Sequence, residues 1–392
     1  MKNTLVRDIV ILGSTGSIGR QALEIVDRHP HRFRVVGLTA HSNDQLLIEQ
    51  VKRYRPQMAG LTGKTITPPG ETSFCQWYFG AEALDVASSQ LSCDDVLVSV
   101  VGMVGLGSVL GARKTGKRVL LANKEALVTG GQLVMDLCPQ DAQAPALLPV
   151  DSEHSAIYQC LMAAKGNPFD HITLTASGGP FRNWPRERME KATLDEALSH
   201  PTWKMGQKIT IDSASMFNKA LEIIEARWLF EAQPHQIKVL IHPQSIVHSM
   251  VTFKDGAVLA QMGMPDMRVP IAFAMAYPER IETNTQPMAL ETLASLQFEK
   301  PDMARFPALK LAYEALKAGG AACCVLNGAN EEAVNGYLHH TIRFGQIAQV
   351  VAETLSAIGP LPAGSLEEVL EADRRAREVS ARIMKQFSRE GI

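Results

Sequence analysis

The chain has 392 residues, of which 46% are hydrophobic and 20% charged, with a formal net charge of −2. This is the composition of a globular protein of roughly two or three domains, and it excludes the basic excess that would hold a nucleic-acid backbone, so any nucleotide ligand is expected to be small. No apolar run reaches the ~18 residues of a bilayer span, so no membrane partner is expected.

Six scattered cysteines (Cys75, Cys93, Cys138, Cys160, Cys323 and Cys324) form no C-x-x-C pair. They point to reduced thiols in a cytoplasmic setting rather than to disulfides or a zinc site. The apolar run from Leu5 passes straight into a glycine turn, so no secretory or transit segment is expected ahead of the fold. Residues 8–12 read as a strand, Gly13-Ser14-Thr15-Gly16-Ser17-Ile18-Gly19 as a turn, and Ala22, Leu23, Ile25 and Val26 as the apolar side of a helix. Strand, glycine turn and helix together favour a dinucleotide site, because free N–H groups at the helix start receive a pyrophosphate. A second strand, 33–38, ends in Thr39-Ala40-His41-Ser42-Asn43 without the acid that binds an NAD ribose. An acid would repel a 2′-phosphate, whereas His41, Ser42 and Asn43 can hydrogen-bond one, so NADPH is expected over NADH. Strands at 95–101 and 118–122 continue a parallel, doubly wound sheet. The second ends in Asn123-Lys124-Glu125, where Lys124 is either a substrate cation or a surface lysine paired with Glu125.

Residues 146–150 form another apolar strand, followed by Asp151-Ser152-Glu153-His154. Two carboxylates at a strand end suit Mg²⁺ or Mn²⁺. The same residues also suit a helix N-terminus, with Asp151 or Ser152 as cap and Glu153 in the first turn. A helix at 155–164 and a strand at 171–176 follow, ending in Ser177-Gly178-Gly179-Pro180, where backbone can approach an anion closely. Residues 182–188 form a charged surface stretch. The segment 199–206, with His200, Trp203 and Met205 between proline and glycine, reads as a water-excluding lid. Residues 208–213 read as a strand and turn, and 214–230 as a helix with Ser213 at its positive end. Asn218, Lys219 and Glu222 share one face of that helix, either as anion donors with a metal carboxylate or as a solvated Lys–Glu pair.

Strands at 237–241, 246–253 and 257–261, the last two joined by a Lys254-Asp255-Gly256 hairpin, predict an antiparallel region. Its long apolar strands suggest an edge covered by a second subunit, hence a homodimer. His242 and His248 lack acids at metal spacing and are not expected to be ligands. Residues 283–306 read as a linker, and helices at 309–318, 321–338, 344–358 and 365–387 as a small helical bundle. Asn327, Asn330 and Glu331 are assigned to packing or capping.

Several of these segments, taken in order, resemble the 1-deoxy-D-xylulose 5-phosphate reductoisomerase family: the 13–19 turn, Leu121-Ala122-Asn123-Lys124-Glu125, Val150-Asp151-Ser152-Glu153-His154, Ser177-Gly178-Gly179-Pro180-Phe181, Ile211 to Lys219 with Glu222, and Ile241-His242-Pro243-Gln244-Ser245. The resemblance covers essentially the whole chain. It implies an N-terminal Rossmann-like domain (1–150), a central α+β catalytic and dimerisation domain with a lid (151–282), a linker (283–307) and a C-terminal α-helical domain (308–392). It also implies NADPH at Thr15, Gly16, Ser17, Ile18, Asn43, Asn123, Glu125 and Gly206. By the same resemblance one divalent cation (Mg²⁺, Mn²⁺ or Co²⁺) is held by Asp151, Glu153 and Glu222, which are catalytic together with Lys124. Lys124, Ser152, Glu153, Ser177, His200, Ser213, Asn218, Lys219 and Glu222 are the implied substrate residues, with the serines, Asn218 and Lys219 mostly around a phosphate. Trp203 and Met205 match the lid. His41 departs from the glycine frequent in the family, which bears on how the 2′-phosphate is recognised.

The implied reaction rearranges a keto-sugar phosphate and reduces the resulting aldehyde to 2-C-methyl-D-erythritol 4-phosphate, in the non-mevalonate route to isoprenoid precursors. Two other readings fit parts of the chain. A plain NADP-dependent dehydrogenase would show no metal dependence in hydride transfer. An NADPH-sensing regulator would oxidise no NADPH with any sugar phosphate.

Overall fold

Ile9, Val10, Ile11 and Leu12 are all fully buried, as a central strand of a parallel sheet requires, because helices cover both of its faces. They belong to β1 (Arg7–Leu12) in a computed structural model that describes residues 6–139, 144–203 and 205–389. Lys204 of the lid segment and Leu5 of the N-terminal run lie outside the described residues. The chain divides into two units. The first holds the residues up to Ala126, Val134–Ser155 and Asp266–Gln286; the second holds Leu127–Leu133, Ala156–Pro265 and the residues from Pro287 onward.

In the first unit β1 is followed by α1 (Ser17–Arg28), β2 (Phe33–Ala40), α2 (Asp44–Tyr54), β3 (Met58–Leu61), β4 (Gln76–Phe79), α3 (Ala81–Asp85), β5 (Asp95–Val98), α4 (Val104–Lys114), β6 (Arg118–Leu121), the two ends of α5 (Glu125–Met135), whose middle belongs to the second unit, and β7 (Leu147–Pro149). Among the described residues the sheet runs β4-β3-β2-β1-β5-β6-β7, and every pairing in it is parallel. The strand order reverses between β1 and β5. In open α/β sheets, ligands bind at such a switch point, beyond the carboxyl ends of the strands. At the opposite edge Asp95, fully buried, receives bidentate hydrogen bonds from Arg7 (2.7 and 2.8 Å) and Arg118 (2.6 and 3.0 Å). Such forks compensate a buried carboxylate, and here they tie β1, β5 and β6 together.

α6 (Ser152–Ala164) leads the chain into the second unit, followed by β8 (Phe169–Ala176), α7 (Arg186–Met189), α8 (Leu194–Leu198), α9 (Gln207–Ala214), α10 (Phe217–Leu229), β9 (Ile237–Ile241), β10 (Val247–Phe253) and β11 (Val258–Met262). α11 (Arg268–Ala276) returns to the first unit, where it packs on α1. α12 (Pro307–Ala318), α13 (Ala322–Leu338), α14 (Gln346–Ile358) and α15 (Leu366–Arg389) complete the second unit.

The second sheet, β11-β10-β8-β9, is mixed rather than antiparallel throughout: β10 pairs antiparallel with β8 and β11, but β8 and β9 pair in parallel. The connection between β8 and β9 carries α7 to α10, a crossover long enough to return the chain in the same direction. One apolar cluster joins Ile172 and Leu174 of β8, Phe217 and Leu221 of α10, and Leu309, Leu326, Val350 and Val351 of the C-terminal helices. Residues 283–306 carry little regular structure beyond a single turn at Leu290–Thr292. They are held down by a bridge from Glu299 to Ile241 and by Gln244, which bonds Ser295 and Gln297. Among the described residues no helix is long and apolar enough to cross a membrane.

Candidate active site

Every strand of the first sheet is parallel, so the polar residues that follow β1, β2, β5, β6 and β7 all emerge at one edge. At β1, Gly13 adopts φ +87°, and a Cβ there would lie 2.8 Å from the Ser99 carbonyl oxygen that follows β5. A Cβ on Gly19 would fall 2.5 Å from the Gly13 carbonyl. Glycine at both positions therefore lets α1 start directly against the turn. Its cap residue, Gly16, has no side chain to occupy the first N–H groups, which are left facing any pyrophosphate. Beyond β2, Asn43 caps α2 by accepting from the Leu46 N–H (3.2 Å), and His41 Nδ1 meets the Thr62 hydroxyl (2.9 Å). Beyond β6, the Asn123 amide donates to the Val100 and Gly102 carbonyls and to Glu125 (3.1, 2.9 and 2.9 Å), pinning the loop after β5 to the loop after β6.

Lys124 is buried rather than on the surface. Its Nζ lies 2.5 Å from Asp151 Oδ2. Asp151 precedes α6, and Glu153 lies in the first turn of α6, so the backbone is the helix start that the sequence offered as one alternative. A helix start and a ligand pair are compatible, since both place carboxylates where positive charge is concentrated. Burial would raise the Asp151 carboxyl. The Lys124 ammonium and His154 outweigh burial and hold it well below the ordinary carboxylate range. His154 is sealed from solvent, with Nδ1 3.9 Å from Asp151 Oδ1. Ser152 hydrogen-bonds the Glu153 carboxylate.

In the second unit His200 stands between two serines. Its Nε2 lies 3.1 Å from both the Ser177 and the Ser213 hydroxyls. Its Nδ1 accepts the Thr202 and Trp203 N–H groups at 3.1 and 2.9 Å. A nitrogen that accepts carries no proton, so the neutral ring is protonated at Nε2 and donates toward the serines. Burial lowers its pKa, which favours that neutral form. Ser177 also accepts the Gly179 N–H (3.2 Å), within a Gly178-Gly179 turn at φ +87° and +64°. On α10, Glu222 is fully buried. It accepts from Asn218 Nδ2 at 2.6 Å and pairs with Lys219 Nζ at 2.5 Å. Gly206 is the cap of α9, and Met205 lies in the loop ahead of it.

Two sequence expectations change here. Residues 207–214 form a helix, not a strand. Alternating Ile209 and Ile211 imitate a strand, but Thr210, Ile211 and Ala214 are all buried at helical spacing, and the Thr210 hydroxyl bonds back to the Gly206 carbonyl (2.8 Å). Burial overrode local propensity. Second, Met216 at φ +64° ends that helix, and α10 begins only at Phe217. Ser213 therefore lies in the last turn of α9, and His200 takes over the placement that a helix N-terminus was expected to supply; Asn218 and Lys219 occupy the first turn of α10 instead. His242 is engaged with backbone at both nitrogens (Gln297 carbonyl 2.8 Å; Ile246 and Val247 N–H 3.2 and 3.1 Å). The sequence reading passed over two buried contacts: His154 beside Asp151, which i,i+3 spacing could have flagged, and Asn330 on Asp212 (2.8 Å), which no local pattern signals.

A doubly wound sheet with a glycine turn at its switch point and charged strand ends, with a serine–histidine cluster in the second unit, is the architecture of a dinucleotide-dependent oxidoreductase. Family models described as 1-deoxy-D-xylulose 5-phosphate reductoisomerase, its C-terminal domain, and the DXP reductoisomerase C-terminal domain match residues 9–131, 147–230 and 262–379. The chain belongs to the 1-deoxy-D-xylulose 5-phosphate reductoisomerase family. It is 48% identical to the reductoisomerase of Ralstonia nicotianae over 94% of this chain and 96% of that one. It is 47% identical to that of Geobacter metallireducens, over 97% and 99%. Among solved structures, the Zymomonas mobilis reductoisomerase in complex with NADPH superposes with a TM-score of 0.90 at 40% identity, over 97% of this chain and 99% of that one. A DOX-P reductoisomerase in complex with NADPH, fosmidomycin and magnesium superposes with a TM-score of 0.88 at 39% identity, over the same shares.

Proposed function

We infer that this protein carries out its family's reaction, the NADPH- and divalent-metal-dependent isomerisation and reduction of 1-deoxy-D-xylulose 5-phosphate to 2-C-methyl-D-erythritol 4-phosphate, a step toward isoprenoid precursors. The observation that carries the reading is the half-buried Asp151 carboxylate, paired with the buried Lys124 ammonium at 2.5 Å and followed by Glu153, at a sheet's carboxyl edge. Carboxylates gathered at such an edge are the hard oxygen donors a divalent ion takes.

The residues fit both groups. Asp151, Glu153 and Glu222 are hard oxygen donors, the set that Mg²⁺, Mn²⁺ or Co²⁺ accepts, and we assign all three to one ion. Gly13 and Gly19 let α1 start against the turn, where a Cβ would strike backbone, and we assign Thr15, Gly16, Ser17, Ile18, Asn43, Asn123, Glu125 and Gly206 to NADPH. When bound, the ion supplies Lewis acidity to the substrate carbonyl and neighbouring hydroxyl, and NADPH supplies hydride.

The protein's own groups do the rest. Lys124 presents an ammonium to a substrate oxygen. Ser177, Ser213, Asn218, Lys219 and the neutral His200 Nε2–H donate to the substrate phosphate, and Ser152 borders the reacting end. Trp203 and Met205, on the loop after His200, exclude water, so that phosphate binding energy is used to close the site. Catalysis rests with Lys124, Asp151, Glu153 and Glu222.

The four-part division at 150, 282 and 307 is likewise our functional reading. Six free cysteines support a reducing, cytoplasmic setting. Exposed Val258 and Leu259 on the edge strand β11 support a homodimer. Calorimetric titration of Mn²⁺ tests the ligand set. The Glu222→Gln protein should bind Mn²⁺ weaker by at least the about 10–100-fold that loss of outer-shell partners costs. Unchanged affinity would remove Glu222 from the set.

A further inference from the structure

Asn330 sits in the middle of α13, fully buried, in the helical part of the second unit. Its Nδ2 donates to Asp212 Oδ1 at 2.8 Å. The other Asp212 oxygen pairs with Lys208 Nζ at 2.7 Å. Asp212 is itself 1% exposed and is the residue immediately before Ser213. Asn330 Oδ1 has no hydrogen-bond partner among the described residues. The Oδ1 of Asn327, three residues earlier on α13, is likewise without one, so what distinguishes Asn330 is its bond to Asp212 on α9. What the amide does is fix the last turn of α9. Ser213 is then held on three sides: Asp212 anchored behind it, its own carbonyl against Gly179, where a Cβ would approach to 2.8 Å, and its hydroxyl 3.1 Å from His200 Nε2.

We propose that Asn330, acting through Asp212, is a positioning residue that sets the Ser213 hydroxyl for the substrate phosphate. The C-terminal helices thereby tune substrate affinity without touching substrate. The proposal rests on the assignment of Ser213 to the phosphate. A phosphate cradle works only if its donors are held to within about 0.5 Å, and Ser213 lies at a helix C-terminus, whose dipole repels an anion, so rigid placement has to replace the missing field.

The test compares Asn330→Ala, Asp212→Asn, Ser213→Ala and a control, Asn327→Ala. Asn327 is equally buried on the same helix but bonds Glu331 rather than α9. KM for the sugar phosphate, the inhibition constant of inorganic phosphate, kcat and Tm are read for each in the NADPH- and Mg²⁺-loaded enzyme. Asn330→Ala should raise KM and the phosphate inhibition constant about tenfold, as indirect residues do, while kcat falls less; Asn327→Ala should lower Tm and leave both constants in place. If Asn330→Ala does not fold, Asp212→Asn carries the same expectation. Ser213→Ala raising KM while Asn330→Ala or Asp212→Asn leaves it unchanged, or shifts it no more than Asn327→Ala, overturns the proposal. Ser213→Ala leaving KM and phosphate inhibition unchanged overturns the phosphate assignment and this inference with it.

Discussion

A histidine that accepts two backbone N–H groups at one nitrogen cannot keep that arrangement once both nitrogens are protonated. His200 is so placed, and burial already lowers its pKa below the ordinary 6.5. The sign follows directly. A depressed histidine pKa contributes stability above the unfolded value of ~6.5, and that contribution is lost as pH falls through the lower folded value. Thermal melts between pH 7.5 and 5 should therefore show a larger loss of Tm for the native protein than for His200→Gln; equal losses would contradict the neutral assignment. At this scale the sequence was informative wherever chemistry and position coincide. Asp151, Glu153 and Lys124 follow strands, and Asn218, Lys219 and Glu222 share a helix face that needs no tertiary information to see. It assigned Asn330 only to packing or capping and gave no sign of its contact with Asp212, because 118 residues separate two groups that only the packing of α13 on α9 brings together.

Elements differ in how much their sequence fixes. The turn into α1 is strongly determined, since a Cβ on Gly19 would stand 2.5 Å from both the Gly13 carbonyl oxygen and the Ser14 Cα. Gly19→Ala should push α1 off the sheet, costing about 1–3 kcal/mol as overpacking does and weakening NADPH binding. Urea unfolding together with NADPH fluorescence titration checks both, and an unchanged midpoint with unchanged NADPH affinity would show that the turn tolerates a methyl group. α9 is weakly determined: its Ile-Thr-Ile run has strand propensity, and its helical state follows from burial and from the Gly206 cap. β3 and β4, four residues each, are too short for alternation to declare them, although Met58 to Leu61 are all buried. The boundary between α9 and α10 depends on one left-handed residue, Met216, whose side chain gives no hint of a positive φ.

Across the whole chain, two units are distinguished. The first holds the glycine turn, Lys124, Asp151 and Glu153; the second holds the His200 bridge with Ser177 and Ser213, and Asn218 with the buried Lys219 and Glu222. The chain enters the second unit through α6, whose first turn carries Ser152 and Glu153. The doubly wound half was legible because repeated strand–helix alternation leaves few topologies open. The mixed second sheet was not, because the parallel β8–β9 pairing depends on a long helical crossover that strand patterns do not encode. The central claim is that hydride transfer by this protein requires both a sugar phosphate and a divalent cation. The measurement is NADPH oxidation, followed by its absorbance, with 1-deoxy-D-xylulose 5-phosphate in Mg²⁺ and after chelation. The account predicts turnover with Mg²⁺ and a loss on the order of 10²-fold or more without it, the scale of a missing electrostatic stabiliser. Equal rates with and without the metal, or no oxidation with it, would contradict the account.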